Sequence, residues 1–204
     1  PNISSTFLRK KQFKIVRIGI VGTGRIAPRF ISESKYVSGL TIECAYNPVD
    51  ESAKRFEKCE KIKCYTGDYE EFLENVDAVY IASPNETHFE YAKKAIEAGK
   101  HVLSEKPLSF TKKESEELYT SAKEKGVVLM EAVKAAYCPG FQQLINVAKS
   151  GKIGDIVDVE ASFTRLADQL SRERTDAEYG GAFLEFGPSV LVPVIKLMGK
   201  DYTS

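Results

Sequence analysis

Lys106 stands between a glutamate and a proline, just after the short predicted strand His101–Ser104. An amine held at the end of a strand can serve a substrate hydroxyl, either as an acid–base group or as a cation that stabilises the alkoxide. Glu185 could accept the proton or orient the lysine. The alternatives are an exposed loop lysine and a carboxylate that stabilises a helix N-terminus. We favour the chemical role for Lys106 and weigh the two roles of Glu185 equally.

A second chemical pattern is the turn Gly22-Thr23-Gly24, followed by Ala27. It comes after a strand-like run and before a helix-like segment, which is the context in which G-x-G-x-x-G/A binds a dinucleotide. Gly22 would permit the turn, Gly24 would let the backbone approach a pyrophosphate, and Ala27 would let helix and strand pack closely. The phosphates would lie on the helix N-terminus. The plainer alternative is a tight turn without a ligand.

Asn47 ends the next strand-like run, roughly 20 residues further on, where a ribose-binding side chain is expected. A carboxylate there would favour NAD, because it bonds the 2′-hydroxyl and repels a 2′-phosphate. Asn47 can hydrogen-bond the 2′-hydroxyl without repelling a 2′-phosphate. Lys54 or Arg55 could assist the binding of NADP, although side chains of these types more often face solvent. The sequence predicts NAD or NADP as cofactor, with a slight preference for NAD.

The segments that must position these residues alternate between strand and helix patterns over residues 14–134. This alternation predicts an α/β fold with a mostly parallel, doubly wound Rossmann sheet. The predicted strands are Ile15–Val21, Leu40–Tyr46, Lys63–Tyr65, Ala78–Ala82, His101–Ser104 and Val127–Ala132. The predicted helices are Arg25–Ser34, Glu51–Lys58 with Asp50 as N-cap, one begun by an Asp68–Glu71 capping box, one capped by Asn85, and one from a Thr111–Glu114 capping box to Gly126.

Ligands of such sheets bind beyond the C-terminal ends of the strands. The polar residues that follow the predicted strands should therefore share one edge of the sheet, which supports a single site. These residues are Thr23, Asn47, Asn85, His88, Glu105 and Lys106. For His88 a capping or packing role is an equal alternative.

After residue 134 the sequence changes character. A helix over Gly140–Ser150 leads to Ile156–Phe163, whose near-alternation of polar and apolar residues predicts a strand with one wet face. A polar loop and an apolar helix ending at Met198 follow. One strand cannot bury its faces alone, so we expect an incomplete α+β domain. The predicted organisation is a tail over 1–13, a dinucleotide-binding domain over 14–134, and the first part of a substrate or dimerisation domain over 135–204.

Bulk composition excludes several classes of function. Basic and acidic residues number 29 each, so the formal net charge of 0 argues against nucleic acid or an anionic membrane as partner. No stretch is long enough to span a bilayer, and no secretory signal is visible. Four cysteines without C-x-x-C and two histidines argue against a metal site or a disulfide framework. We expect free thiols and a cytoplasmic location.

Five motifs occur in a fixed order along the chain. They are Val21-Gly22-Thr23-Gly24-Arg25-Ile26-Ala27, Ser83-Pro84-Asn85 with His88, Ala98-Gly99-Lys100-His101-Val102, Glu105-Lys106-Pro107, and Ser150-Gly151-Lys152-Ile153-Gly154. Together they resemble the glucose–fructose oxidoreductase/inositol dehydrogenase (Gfo/Idh/MocA) family. The segment from Ser83 to Pro107 is more specific than the glycine turn. Leu129-Met130-Glu131-Ala132 resembles the branch related to dihydrodiol dehydrogenases.

This resemblance implies a Rossmann domain, then an α/β domain whose mostly antiparallel sheet often forms a dimer. It implies NAD(H) or NADP(H) chemistry, mostly on sugars, cyclitols and their derivatives. By motif match, the pyrophosphate would contact Gly22, Thr23, Gly24, Arg25 and Ile26, and the adenosine ribose would face Asn47. The nicotinamide side would be lined by Ser83, Pro84, Asn85, His88 and Glu105, and Lys106 would reach both nicotinamide and substrate.

The sequence departs from the family pattern in three places. Glu185 replaces the usual aspartate, and Ser189 stands where a proton-transferring ring would be. Ala136-Tyr137-Cys138-Pro139 lacks the basic residue of an Arg-aromatic-x-Pro pattern. The residues after 134 are also fewer than the family's second domain needs.

The sequence therefore predicts an NAD(P)-dependent oxidoreductase that acts on a sugar-like or cyclitol alcohol, with Lys106 and Glu185 as catalytic residues and no metal. The partners would be a small polyol or sugar-derived substrate and, through the C-terminal sheet, a second copy of the chain. The alternative is a catalytically weak dinucleotide-binding protein that serves as a sensor or as part of an assembly. Ser189 and the short second domain favour that alternative.

Overall fold

A computed structural model describes residues 15–166, 175–176 and 178–201 of the chain. Its strands are β1 (Val16–Val21), β2 (Leu40–Tyr46), β3 (Cys64–Thr66), β4 (Ala78–Ile81), β5 (His101–Ser104) and β6 (Leu129–Glu131). Its helices are α1 (Ile26–Ser34), α2 (Asp50–Glu60), α3 (Tyr69–Glu74), α4 (His88–Glu97), α5 (Lys112–Lys125), α6 (Lys134–Tyr137), α7 (Pro139–Lys149) and α8 (Ala182–Met198).

The six strands form one sheet in the order β3-β2-β1-β4-β5-β6. This is the strand order of a doubly wound dinucleotide-binding fold. The pairs β1–β2, β2–β3 and β5–β6 are parallel. The predicted α/β fold is therefore confirmed. The chain divides into two compact units after Ala78.

In the first unit, β1 packs against α3 through a position that has no room for a side chain. A Cβ atom on Gly19 would collide with the ring of Phe72 and would lie 2.8 Å from a methyl group of Val76. Phe72 and Val76 are fully buried. Glycine at position 19 therefore lets the strand and the helix approach closely, and the β1–β2 register shifts at the same residue.

The second unit contains α4 and α5, which pack on one another and on strands β5 and β6. The predicted capping box of α5 is confirmed, because the Thr111 hydroxyl accepts the Glu114 N–H and the Glu114 carboxylate accepts the Thr111 N–H. Gly126 ends the helix with a φ of 67°. Leu118 and Ala122 are buried, as the apolar stripe predicts.

Two of the predicted helix caps are wrong. Val49, in extended conformation, precedes α2, and Asp50 is the first helical residue. Asn85 begins a short 3-10 turn, and its side-chain amide donates to the carbonyl of Tyr179, so α4 starts only at His88. Asp68 does cap α3, whereas the Glu71 carboxylate accepts the Thr66 hydroxyl instead of completing a box.

The strand predicted over Ile156–Phe163 does not form, and α7 is followed by irregular backbone through residue 166. A strand needs ladder hydrogen bonds to a neighbour, and no strand of the described residues pairs with this segment. Val157 is 87% exposed as a result. The residues Asp168, Arg172 and Arg174 of the predicted polar loop, and the predicted tail, lie outside the described residues.

The expectation of free thiols is wrong for two cysteines. Cys44 and Cys64 are register partners on β2 and β3, and they form a disulfide. Cys59 and Cys138 are free and exposed. Sequence spacing gave no sign of this pair, because the two residues meet only once β2 and β3 are neighbours in the sheet.

Within the described ranges, no helix combines the length and apolarity needed to cross a bilayer. No cluster of three or more potential metal-binding side chains occurs there either.

Candidate functional site

The glycine turn of the first unit has the geometry that its sequence predicts. Strand β1 ends at Val21, and Gly22 has a φ of 91°, a conformation that favours glycine. Its N–H donates to the carbonyl of Tyr46 at 2.9 Å, which joins the turn to the end of β2. Ala27 is fully buried in the first turn of α1.

Gly24 lies at the exposed tip of this turn, and a Cβ atom there would have no neighbour within 4 Å. The helix α1 begins two residues later and receives no side-chain cap. Its first N–H groups are donors without the usual helical acceptors. An open approach to backbone N–H groups fits the pyrophosphate of a dinucleotide.

Asn47 lies half-buried beside this turn. Its side-chain nitrogen donates to the Thr23 hydroxyl at 2.7 Å, and its side-chain oxygen accepts the Val49 N–H at 2.8 Å. The structure therefore brings together Thr23 and Asn47, which are 24 residues apart in sequence. Asn47 adds no charge to this part of the site.

In the second unit, the turn after β4 holds Ser83, Pro84 and Asn85. The Thr87 hydroxyl lies 2.7 Å from both the Ser83 hydroxyl and the Pro84 carbonyl, so it stiffens the turn. The Asn85 amide donates to the Tyr179 carbonyl at 3.2 Å. A hydrogen bond with Glu178 raises the pKa of the Tyr179 hydroxyl.

His88 is 1% exposed, and both of its ring nitrogens face backbone carbonyls. Nδ1 lies 2.7 Å from the Pro107 oxygen, and Nε2 lies 2.9 Å from the Ser83 oxygen. The ring thus connects the turn after β4 with the loop after β5. This geometry agrees with the packing alternative for His88, and it supports the turn on which Ser83 and Pro84 lie.

Glu105 and Lys106 follow β5, as the sequence predicts. The Tyr80 hydroxyl donates to the Glu105 carboxylate at 2.6 Å. Tyr80 was not among the predicted site residues, although a tyrosine inside the apolar run Ala78–Ala82 signals a buried hydroxyl that needs a partner. The Lys106–Pro107 peptide is cis.

The Lys106 ammonium is held by one residue of α8. Nζ donates to the Glu185 carbonyl at 2.7 Å and lies 2.9 Å from its carboxylate. The two side chains are about four-fifths buried. An ammonium has three N–H donors, so two on Glu185 leave one for another oxygen.

The remaining residues named from sequence lie on or beside three different helices. Ser189 lies one helical turn beyond Glu185 on α8. Tyr137 ends α6 and is 56% exposed, which is unlike a core residue. Arg25 is exposed at the start of α1.

Comparison with known proteins shows the family of the chain. A family model described as "Oxidoreductase family, NAD-binding Rossmann fold" matches residues 16–133. The scyllo-inositol 2-dehydrogenase (NADP(+)) of Bacillus subtilis (strain 168) is 31% identical over 195 residues, which are 91% of this chain and 59% of that protein. The dTDP-3,4-didehydro-2,6-dideoxy-alpha-D-glucose 3-reductase of Actinomadura kijaniata is 33% identical over 177 residues, 84% of this chain and 53% of that protein.

A solved structure gives the same result. The crystal structure of a 3-ketoreductase from Actinomadura kijaniata with NADP and TDP-benzene has a TM-score of 0.81 and 31% identity, over 90% of this chain and 57% of that chain. The chain therefore spans little more than half the length of these relatives.

Proposed function

Because the chain belongs to the oxidoreductase family with an NAD-binding Rossmann fold, the Gfo/Idh/MocA family, we propose that it transfers a hydride between a nicotinamide dinucleotide and a sugar-like or cyclitol alcohol. The relatives named for scyllo-inositol and for a dideoxyglucose derivative support that substrate class. The observation that carries the proposal is the Lys106 ammonium, held by Glu185 with one donor left.

The residues of each unit have separate tasks in this proposal. In the first unit the glycine turn and α1 bind the pyrophosphate, and Asn47 faces the adenosine ribose. In the second unit, the nicotinamide side is lined by the stiff turn over Ser83–Asn85 and by the Glu105 carboxylate, which Tyr80 anchors. His88 supports the turn after β4 and the loop after β5. When bound, the nicotinamide ring supplies or accepts the hydride.

Lys106 serves the reacting oxygen. Oxidation of an alcohol requires loss of the hydroxyl proton, and a positioned cation stabilises the alkoxide that forms. The third N–H of Lys106 is the donor for that oxygen. The Glu185 carboxylate, at 2.9 Å, fixes the direction of Lys106. When that carboxylate holds one of the lysine protons, the neutral amine can accept the proton that leaves the substrate hydroxyl, and it becomes the ammonium that faces the oxygen.

Turnover of a panel of cyclitols and sugars tests the proposal, with reduction of NAD+ or NADP+ followed by absorbance. Lys106→Met should lower kcat by about 100-fold or more, the usual contribution of a positioned acid–base group. Glu185→Gln should cost less, because the backbone carbonyl still holds the lysine. Lys112→Met, which removes an 88% exposed lysine, is the matched control and should leave turnover unchanged.

A second candidate function is dinucleotide binding with little catalysis. Ser189 supports it, because a serine cannot replace a ring that transfers protons near neutral pH. Tight cofactor binding without turnover of any substrate in the panel would favour this candidate. Activity that survives unchanged in Lys106→Met would contradict the role proposed for the lysine.

Cofactor choice is a finer part of the proposal. The slight preference for NAD remains a prediction from sequence. The neutral Asn47 does not repel a 2′-phosphate, and two relatives are named or crystallised with NADP. We therefore propose that both dinucleotides bind.

The proposal extends to location and assembly. We propose a cytoplasmic protein that forms a homodimer through its C-terminal domain. Sedimentation velocity over a range of concentrations would detect the dimer, and a monomer at every concentration would contradict it.

A further inference from the structure

The side-chain amide of Asn47 joins two loops of the first unit, and its two ends differ in chemistry. A backbone N–H can only donate, so the amide atom 2.8 Å from the Val49 nitrogen must be the oxygen. The atom 2.7 Å from the Thr23 hydroxyl is then the nitrogen, which can only donate. Thr23 is therefore the acceptor in this hydrogen bond.

This assignment determines where the Thr23 proton can go. The hydroxyl oxygen accepts from Asn47, so its own proton points away from that residue. Within the described part of the chain, the proton meets no acceptor. Thr23 is half-exposed beside the open tip at Gly24. It is thus an oriented donor that faces the space beside the glycine turn.

We propose that Thr23 donates this proton to the 2′-phosphate of NADP, and that Asn47 determines the direction of the donor. The inference rests on the proposed function, since it requires a dinucleotide in the site. The 2′-phosphate is chosen over the pyrophosphate because the partner of Thr23 is the residue at the ribose position. The pyrophosphate is assigned instead to the N-terminus of α1.

An aspartate at position 47 would reverse the direction of the hydrogen bond between residue 47 and Thr23. One carboxylate oxygen would still accept the Val49 N–H, but the other would accept the Thr23 proton. The hydroxyl would then no longer serve a phosphate, and the added charge would repel one. Selection between the dinucleotides therefore depends on the direction of one hydrogen bond as well as on the charge at position 47.

The test measures the dissociation constants of NADPH and NADH by fluorescence titration of the 204-residue chain. Four proteins form a cycle: the unmodified chain, Thr23→Val, Asn47→Asp and the double variant. Thr23→Val should weaken NADPH roughly tenfold or more, as for a lost hydrogen bond to a charged group, and change NADH less than about twofold. Asn47→Asp should weaken NADPH and leave NADH equal or tighter.

The double variant distinguishes this inference from a simple contact. In the Asn47→Asp background the Thr23 hydroxyl already donates to the carboxylate, so adding Thr23→Val should not raise the dissociation constant of NADPH further. Thr23→Ser should keep the affinity of the unmodified chain. Thr41→Val is the matched control, because it removes a threonine hydroxyl that donates to Glu43 near the other end of β2.

Each outcome has one meaning. Equal losses for NADPH and NADH in Thr23→Val would assign the hydroxyl to the pyrophosphate and overturn the inference. Additive losses in the double variant would overturn the role of Asn47. If the unmodified chain bound neither dinucleotide, the proposed function would fail first, and this inference with it. Thermal melts of every variant establish that the fold is intact.

Discussion

At the scale of single residues, Gly19 shows how a missing side chain can determine packing. Gly19→Ala should destabilise the protein by about 1–3 kcal/mol, because the added methyl group would overlap Phe72 and Val76. Urea denaturation would measure the change. Gly140→Ala, on α7 with nothing within 4 Å of its Cβ, is the control and should be neutral or stabilising. Equal effects of the two changes would contradict the packing argument.

His88 gives a second prediction at this scale. His88→Leu keeps the buried volume but removes the ring N–H between the carbonyls of Ser83 and Pro107, so we expect a loss of about 1–3 kcal/mol. His101→Leu should cost less, because the exposed Val128 N–H that it leaves can bond water. Chemical denaturation of both variants provides the comparison. An unchanged free energy of unfolding in His88→Leu would mean that the ring does not support the loops that carry Ser83 and Pro107.

The capping box of α5 belongs to the scale of elements. Thr111→Ala removes the acceptor of the Glu114 N–H and should cost about 1 kcal/mol. Thr120→Ala, the same change at an exposed position inside α5, should gain a few tenths of a kcal/mol from helix propensity. Thermal denaturation of the two variants would distinguish a capping effect from a loss of threonine.

The β2–β3 pair predicts a dependence on pH. A hydrogen bond from Lys63, then one from Thr41, lowers the pKa of Glu43 in the folded protein. A lowered pKa stabilises the fold above the unfolded value, about 4.3, and this stabilisation is lost as pH falls through the folded value. Glu43→Gln should therefore cost up to about 1 kcal/mol at pH 7 and almost nothing at strongly acidic pH.

Denaturation at several pH values measures that difference, with the exposed change Glu124→Gln as control. A cost of Glu43→Gln that did not shrink on acidification would show that packing, and not the charge of Glu43, supports the strand pair.

The same scale shows what sequence patterns can predict. Strands β2 and β5 have their predicted bounds, because a glycine shortly before each strand and a proline shortly after it mark the ends. The strand predicted over Ile156–Phe163 is missing. Alternation of polar and apolar residues indicates a preference for extended backbone, but it does not provide the neighbouring strand that a sheet needs. The cap predicted at Asn85 is absent, because the Asn85 amide donates to the Tyr179 carbonyl, 94 residues away in sequence. In the site, the sequence predicted the loops and offered Glu185 as a residue that could orient Lys106. The pairing of Thr23 with Asn47 was not predicted, because it depends on a contact between two loops that are far apart in sequence.

At the scale of the whole molecule, cofactor binding should stabilise the fold. A ligand at 100 times its dissociation constant adds about 2.7 kcal/mol. Thermal melts with and without NADPH would measure this shift. Gly24→Val should melt like the unmodified chain but show no shift, because its side chain enters open space that the pyrophosphate would use. A full shift in Gly24→Val would contradict the position proposed for the phosphates.

The open space at Gly24 also bears on how such a chain evolves. One base substitution turns a glycine codon into a valine codon, and at this position no neighbour in the described structure opposes the new side chain. Purifying selection on folding would therefore not remove the change. Under the proposed function, a lineage could therefore lose cofactor binding in one mutational step and keep its architecture, and selection for the dinucleotide would be what retains glycine at this position.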